Sequence, residues 1–135
     1  MTTILSAKAL AFLKEEHVAI LSTINKDGTS QLTAMWYVLE DDGTIMMDTQ
    51  VHLQKMKNIR RDARVALCIE DGFRYVSING TLELNDDQEV VRKDLRNLVE
   101  RYVKDEETRQ QYFSAFTQQT RVALRLKAEK VIENL

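Results

Sequence analysis

Apolar and polar positions alternate in short runs along most of the chain, and Asp-Gly pairs bound the runs where proline, absent here, would otherwise do so. His17 to Ile24 is a β-rich run ending at Asn25-Lys26-Asp27-Gly28. Asp-Gly between two β-prone runs predicts a hairpin, so the return strand is Gln31 to Leu39. There Leu32, Ala34, Trp36 and Val38 alternate with Gln31, Thr33, Met35 and Tyr37. Asp41-Asp42-Gly43 makes a second hairpin turn into a strand from Thr44 to Thr49. Arg64 to Glu70 and Arg74 to Leu84 are two further strands joined at Glu70-Asp71-Gly72, and the last strand is Thr120 to Leu126.

Helical spacing fills the gaps. Ser6 is an N-cap for a helix over Ala7 to Glu15 that buries Ala9, Phe12 and Leu13. Leu53, Met56 and Ile59 put a short helix over His52 to Asp62. Asn85-Asp86-Asp87 starts a long helix with Val90, Val91, Leu95, Leu98, Val99 and Tyr102 on its apolar face. Tyr112, Phe113 and Phe116 belong to another. Six strands joined mainly by tight turns, with helices after the third and fifth, predict a mainly β fold, a six-stranded antiparallel sheet closing as a barrel decorated with helices.

Composition narrows the class. A chain of 135 residues is the size of one domain, so residues 1–135 are expected to form a single unit. No apolar run reaches the roughly 18 residues of a membrane span, and the opening segment lacks the features of a signal peptide. The lone Cys68 fits a reducing compartment, which predicts a cytoplasmic protein. A net charge of −2 disfavours nucleic acid as a partner, although Lys55, Lys57, Arg60, Arg61 and Arg64 crowd five cations into ten residues. No metal site is expected from one cysteine and two histidines 35 residues apart, and His17 and His52 read as structural. Neither a Gly-rich phosphate loop nor a nucleophile motif is present.

The one feature that invites a ligand is the end of the third strand and the helix after it. A helix N-terminus offers free backbone N–H groups and partial positive charge to an anion. Thr49 adds a hydroxyl there and Lys55 an ammonium, while Lys57, Arg61 and, just past the helix, Arg64 share another stripe, opposite Leu53, Met56 and Ile59. A solvated charged face over an apolar one explains the same residues.

Lys55-Met56-Lys57-Asn58-Ile59-Arg60-Arg61-Asp62-Ala63-Arg64-Val65 resembles the signature of the pyridoxamine-phosphate-oxidase-like family, in its flavin/deazaflavin oxidoreductase branch. Members of that branch show two basic residues one apart, then Asn, an aliphatic residue and a segment ending Arg-Asp-Pro-Arg-Val. Ala63 stands where proline is usual, a departure that affects the loop and not a ligand. Ala19-Ile20-Leu21-Ser22-Thr23, Asp27-Gly28-Thr29, Gln31 to Tyr37 and Tyr75 to Thr81 match the family in the same order, so the resemblance spans roughly residues 5 to 132.

The resemblance implies a split barrel that dimerises, with two cofactor sites at the subunit interface. It implies Thr49, Lys55 and Lys57 as phosphate binders, and Gln31, Thr33, Met35 and Trp36 as residues bordering the cofactor ring, with Tyr75 a weaker candidate. Trp36 reads equally as a core anchor. The implied cofactor is the deazaflavin coenzyme F-420, with FMN second, because both bring a tricyclic ring and a phosphate to the same scaffold. The implied activity is hydride transfer to an unidentified small molecule, with classical pyridoxamine-phosphate oxidation less well matched and a flavin-binding protein without turnover as the alternative. Such chemistry resides in the cofactor, which accounts for the missing acid–base dyad.

Overall fold

The computed structural model describes residues 3–135. Helix α1 (Ala7–Lys14) is capped as its sequence requires: the Ser6 hydroxyl accepts from the Ala9 N–H at 3.0 Å. Strands β1 (Ala19–Ile24) and β2 (Ser30–Met35) pair antiparallel across the Asp27-Gly28 turn. Strands β3 (Val38–Leu39) and β4 (Ile45–Gln50) pair across the Asp42-Gly43 turn. Helix α2 (Gln54–Arg61) leads into β5 (Arg64–Asp71) and β6 (Arg74–Asn85). Helices α3 (Gln88–Tyr102) and α4 (Glu106–Thr117) precede the long β7 (Arg121–Asn134).

The sheet runs in the order β2-β1-β5-β6-β7-β4-β3, all pairs antiparallel. Its two edge strands, β2 and β3, are separated in the chain only by Trp36 and Tyr37. The chain therefore crosses from one sheet edge to the other in two residues, which curls the sheet on itself into a split barrel. Leu21, Leu67, Ile78, Met47 and Leu124 fill its interior, with α1 and α2 packed against the same core. On the outer side of β4 and β7, α3 covers Ala123 with Val91 and Leu95.

Two expectations are corrected. Gln31 to Leu39 is not one strand: it breaks at Trp36-Tyr37, giving seven strands instead of six. Alternation persisted through the break because Met35 and Tyr37 are both buried, while the change of hydrogen-bonding partner leaves no mark on the pattern. The freed backbone is satisfied by a residue far along the chain: the Tyr102 hydroxyl accepts from the Tyr37 N–H at 3.2 Å and donates to the His17 carbonyl at 2.5 Å. The last strand also does not stop at Leu126 but continues to Asn134 against the first half of β6. A register shift at Asn79/Gly80 inserts an extra residue into β7 and resets its period of two, so that Val131 faces Ile78. A strict alternation template loses the strand at that point.

Gly80 makes the bulge sterically feasible, since a Cβ there would overlap the Lys127 carbonyl oxygen and the Leu126 side chain. Gly80→Ala is expected to lower the unfolding free energy by about 1–3 kcal/mol, the range for forcing extra volume into a packed site. Urea unfolding monitored by Trp36 fluorescence checks it, and an unchanged midpoint would contradict the close approach.

Candidate functional site

Where the barrel splits, the end of β2, the end of β4 and the start of α2 diverge and leave a cleft of about 300 Å³ roofed by α3 and α4. One wall is aromatic. Trp36 stacks on Tyr102 with ring centroids 4.9 Å apart and planes 9° apart, and Tyr112 and Phe116 stand against its other edges at 5.8 and 6.2 Å. Trp36 anchors α3 and α4 to the kink and also lines the cleft.

The opposite wall is cationic. Lys55 lies one residue inside the start of α2 and is buried, with the Met35 Sδ 3.5 Å from its Nζ as its hydrogen-bond partner. Burial, aided by the nearby Arg121 charge, lowers its pKa below the ordinary lysine value. Leu53 occupies the N-cap of α2 and offers no side-chain bond, so the helix start faces the cleft without a capping oxygen. Buried Thr49 completes this end.

Of the residues singled out from the sequence, Thr49, Lys55, Met35 and Trp36 come together in the cleft. Gln31 and Thr33 share the inward face of β2 with Met35, half-buried and nearer the β1 turn, outside the cleft lining. Lys57 is exposed and does not line the cleft, because residues two apart on a helix point to different sides. Tyr75 pairs with Glu70 at the far end of the β5–β6 hairpin. Most of the basic run is engaged within the chain: Arg60 donates to the Val51 carbonyl, Arg61 to the Ile24 carbonyl, and Arg64 pairs with Asp62 at 2.7 Å.

Among the lining residues that the sequence reading did not assign to the site are Asp48, Arg121, Tyr112 and Phe116. Asp48 Oδ1 accepts from Arg121 Nε at 2.6 Å, and the guanidinium also lies 4.8 Å over the Phe116 ring. Asp48 Oδ2 is buried without a hydrogen-bond partner among the described residues. Burial pushes the Asp48 carboxyl up to about 7, with Arg121 pulling the other way. A charged residue directly after the apolar Ile45-Met46-Met47 run of a strand was the available signal, since buried carboxylates are rare unless paired. Its partner lies 73 residues away and could not be assigned from spacing.

A cleft with an aromatic wall, a buried ammonium at an uncapped helix start and an orphaned carboxyl oxygen suits a flat, anion-bearing ligand. Among the described residues no helix is long and apolar enough to cross a membrane. The pyridoxamine 5'-phosphate oxidase family model matches residues 5–134. An F-420H(2)-dependent biliverdin reductase from Mycobacterium tuberculosis is 33% identical over 102 residues, covering 75% of this chain and 74% of the relative. The crystal structure of a conserved hypothetical protein from Mycobacterium tuberculosis superposes with a TM-score of 0.80 at 30% identity, over 97% of this chain and 85% of that one. An F-420 reductase structure shares the fold, with a TM-score of 0.66 at 19% identity over 90% of this chain and 94% of its own. With the split barrel, the cleft and a match along nearly its whole length, the chain belongs to the pyridoxamine 5'-phosphate oxidase family.

Proposed function

We propose that this protein is an oxidoreductase that holds the deazaflavin coenzyme F-420 in the Trp36–Lys55–Arg121 cleft and reduces a small molecule with it. The observation that carries the reading is Lys55: a buried ammonium with a thioether as its hydrogen-bond partner, set at an uncapped helix start beside an aromatic wall. Burying an unpaired charge is costly, and an arriving phosphate offsets the cost with a charge-assisted bond. Lys55, Thr49 and the first N–H groups of α2 would hold the phosphate, while Met35, Trp36 and Tyr112 would border the ring. When bound, the ring would supply hydride; the chain's own groups orient it and exclude water. The F-420H(2)-dependent relative supports the deazaflavin over FMN, which is the second reading.

A second copy of the chain fits the same picture. A cleft of about 300 Å³ is small for a tricyclic cofactor, at the lower end of ligand pockets, so another protomer would supply the remaining wall. The outer face of β1 and β2 exposes Ile20, Leu32 and Ala34 beside Cys68 on β5, an apolar surface suited to such a contact. The lone cysteine and the absence of a disulfide framework support a cytoplasmic location.

Titration of the purified protein with coenzyme F-420 and with FMN, followed by the absorbance and fluorescence of each ring, tests the reading. Tighter binding of the deazaflavin is expected. Failure of both to bind at micromolar concentration would overturn it. Sedimentation of the same samples is expected to report a dimer, and a monomeric mass across the micromolar range would remove the two-chain site. Biliverdin is the first acceptor to assay with the reduced cofactor, because a relative acts on it.

A further inference from the structure

We propose that Asp48 binds the cleft occupant as a neutral acid, its Oδ2–H donating to an oxygen acceptor of the ligand while Oδ1 stays on Arg121. This role rests on the cofactor reading of the cleft. The two carboxyl oxygens are inequivalent in the fold. Oδ1 is held at 2.6 Å by the Arg121 Nε, and Arg121 is itself fixed by the Gln119 Oε1 at 2.5 Å and by the Phe116 ring. Oδ2 has no partner among the described residues and is closed off from solvent, although Asp48 is part of the cleft lining. As a carboxylate oxygen it would be a buried acceptor with nothing to accept. As a hydroxyl it is a donor awaiting an acceptor, which phosphate oxygens and ring carbonyl oxygens both provide.

The surroundings favour the neutral form without forbidding the charged one. Arg121 and Arg125 on β7 pull the carboxyl toward ionisation, and Asp94 on α3 opposes them. On α2, Lys55 senses the same Arg121 charge. From α4 the cleft receives Tyr112 and the uncharged Phe116 ring. Burial outweighs the arginines and brings Asp48 to about 7, so a small shift in pH changes its state.

The sign of the effect follows from proton counting. A ligand that needs the Oδ2 proton binds best below the Asp48 pKa and loses up to about tenfold in affinity per pH unit above it. The free protein behaves in parallel: between the ordinary aspartate value near 3.8 and about 7 the folded state holds a proton that the unfolded chain has released, so stability falls as pH rises through that window.

The test is the dissociation constant of FMN and of riboflavin, measured by fluorescence quenching from pH 6 to pH 8.5, for the wild type and for Asp48→Asn. Asparagine keeps an acceptor for Arg121 and presents a neutral N–H donor at every pH. Wild-type affinity is expected to fall by about tenfold or more across this range, and the variant is expected to stay level and to bind more tightly than wild type at the alkaline end. Decline with both ligands assigns the acceptor to the ring, and decline with FMN alone assigns it to the phosphate. A level wild-type profile, or the same decline in Asp48→Asn, overturns the role while leaving cofactor binding intact. Binding of neither ligand nor of coenzyme F-420 to wild type overturns the cofactor reading and this role with it. Carbon-detected NMR titration of the wild-type carboxyl stands independent of any variant: a midpoint near 7 supports the neutral acid, and one in the ordinary aspartate range excludes it.

Discussion

Lys55→Met is expected to weaken binding of coenzyme F-420 and of FMN by about ten- to hundredfold, the equivalent of about 1–3 kcal/mol for a lost charge-assisted hydrogen bond. The same substitution is expected to leave the melting temperature of the free protein unchanged or higher. The two outcomes have one cause. The Lys55 ammonium is buried with the Met35 thioether as its hydrogen-bond partner, so the fold bears its desolvation and recovers little until an anion arrives. Methionine fills a similar volume without a charge to desolvate. The pH dependence of stability carries the same signature. Because burial lowers the folded pKa of Lys55, the unfolded chain holds the extra proton between that value and 10.5, and this group makes stability rise with pH across the interval. Ligand titration and calorimetry of wild type and variant check both arms. Undiminished affinity for both cofactors would return Lys55 to a packing role, and a large loss of stability in the free protein would show that its ammonium is satisfied internally.

Asn58→Ala is expected to cost about 2–4 kcal/mol of unfolding free energy, because it removes a fully buried hub and strands its neighbours. The Asn58 Nδ2 donates to the Thr23 Oγ1 at 3.1 Å and to the Asn25 Oδ1 at 2.9 Å, tying α2 to the end of β1. Its Oδ1 accepts from the Gln54 Nε2 and the Arg61 Nη2, both at 3.0 Å. Alanine leaves the buried Thr23 and the half-buried Asn25 without these bonds and a void where the amide stood. Since α2 also carries Lys55, cofactor affinity should fall in the same variant although Asn58 lines no part of the cleft. Denaturant unfolding with an unchanged slope measures the first effect, and ring fluorescence measures the second. A cost below about 1 kcal/mol would mean that water replaces these bonds readily.

The Asn58 network also shows why a motif can be legible before its physics is. The Lys-x-Lys-Asn run stands out in the sequence, yet its residues do three different things in the fold. Lys55 enters the cleft, Lys57 faces solvent and Asn58 locks the helix to the barrel. Helical geometry alone separates the two lysines, since positions two apart do not share a face. The spacing thus argued against placing both lysines on one phosphate, and only the family resemblance suggested it. The depth of Asn58 was less accessible: nothing local marks a polar residue as buried until its partners, 33 and 35 residues earlier, are brought beside it.

By itself the sequence determined the elements whose causes are local. The Ser6 cap, the apolar stripe of α1 and the Asp-Gly hairpin turns are set by hydrogen bonds and backbone preferences within a few residues, and each formed where the pattern placed it. A helix-decorated antiparallel barrel followed from these elements and their order, and the family, with the split barrel it implies, from an ordered set of matching segments. Tertiary structure decided everything that depends on partners distant in the chain. The break at Trp36-Tyr37 exists because Tyr102 satisfies the backbone it frees, and the extension of β7 exists because β6 is there to pair with it. The pairing of Asp48 with Arg121, the stacking of Trp36 on Tyr102 and the choice of Lys55 over Lys57 arise only when the sheet curls and the helices dock. Local pattern reports which face of an element is apolar, whereas the site is made by which faces meet.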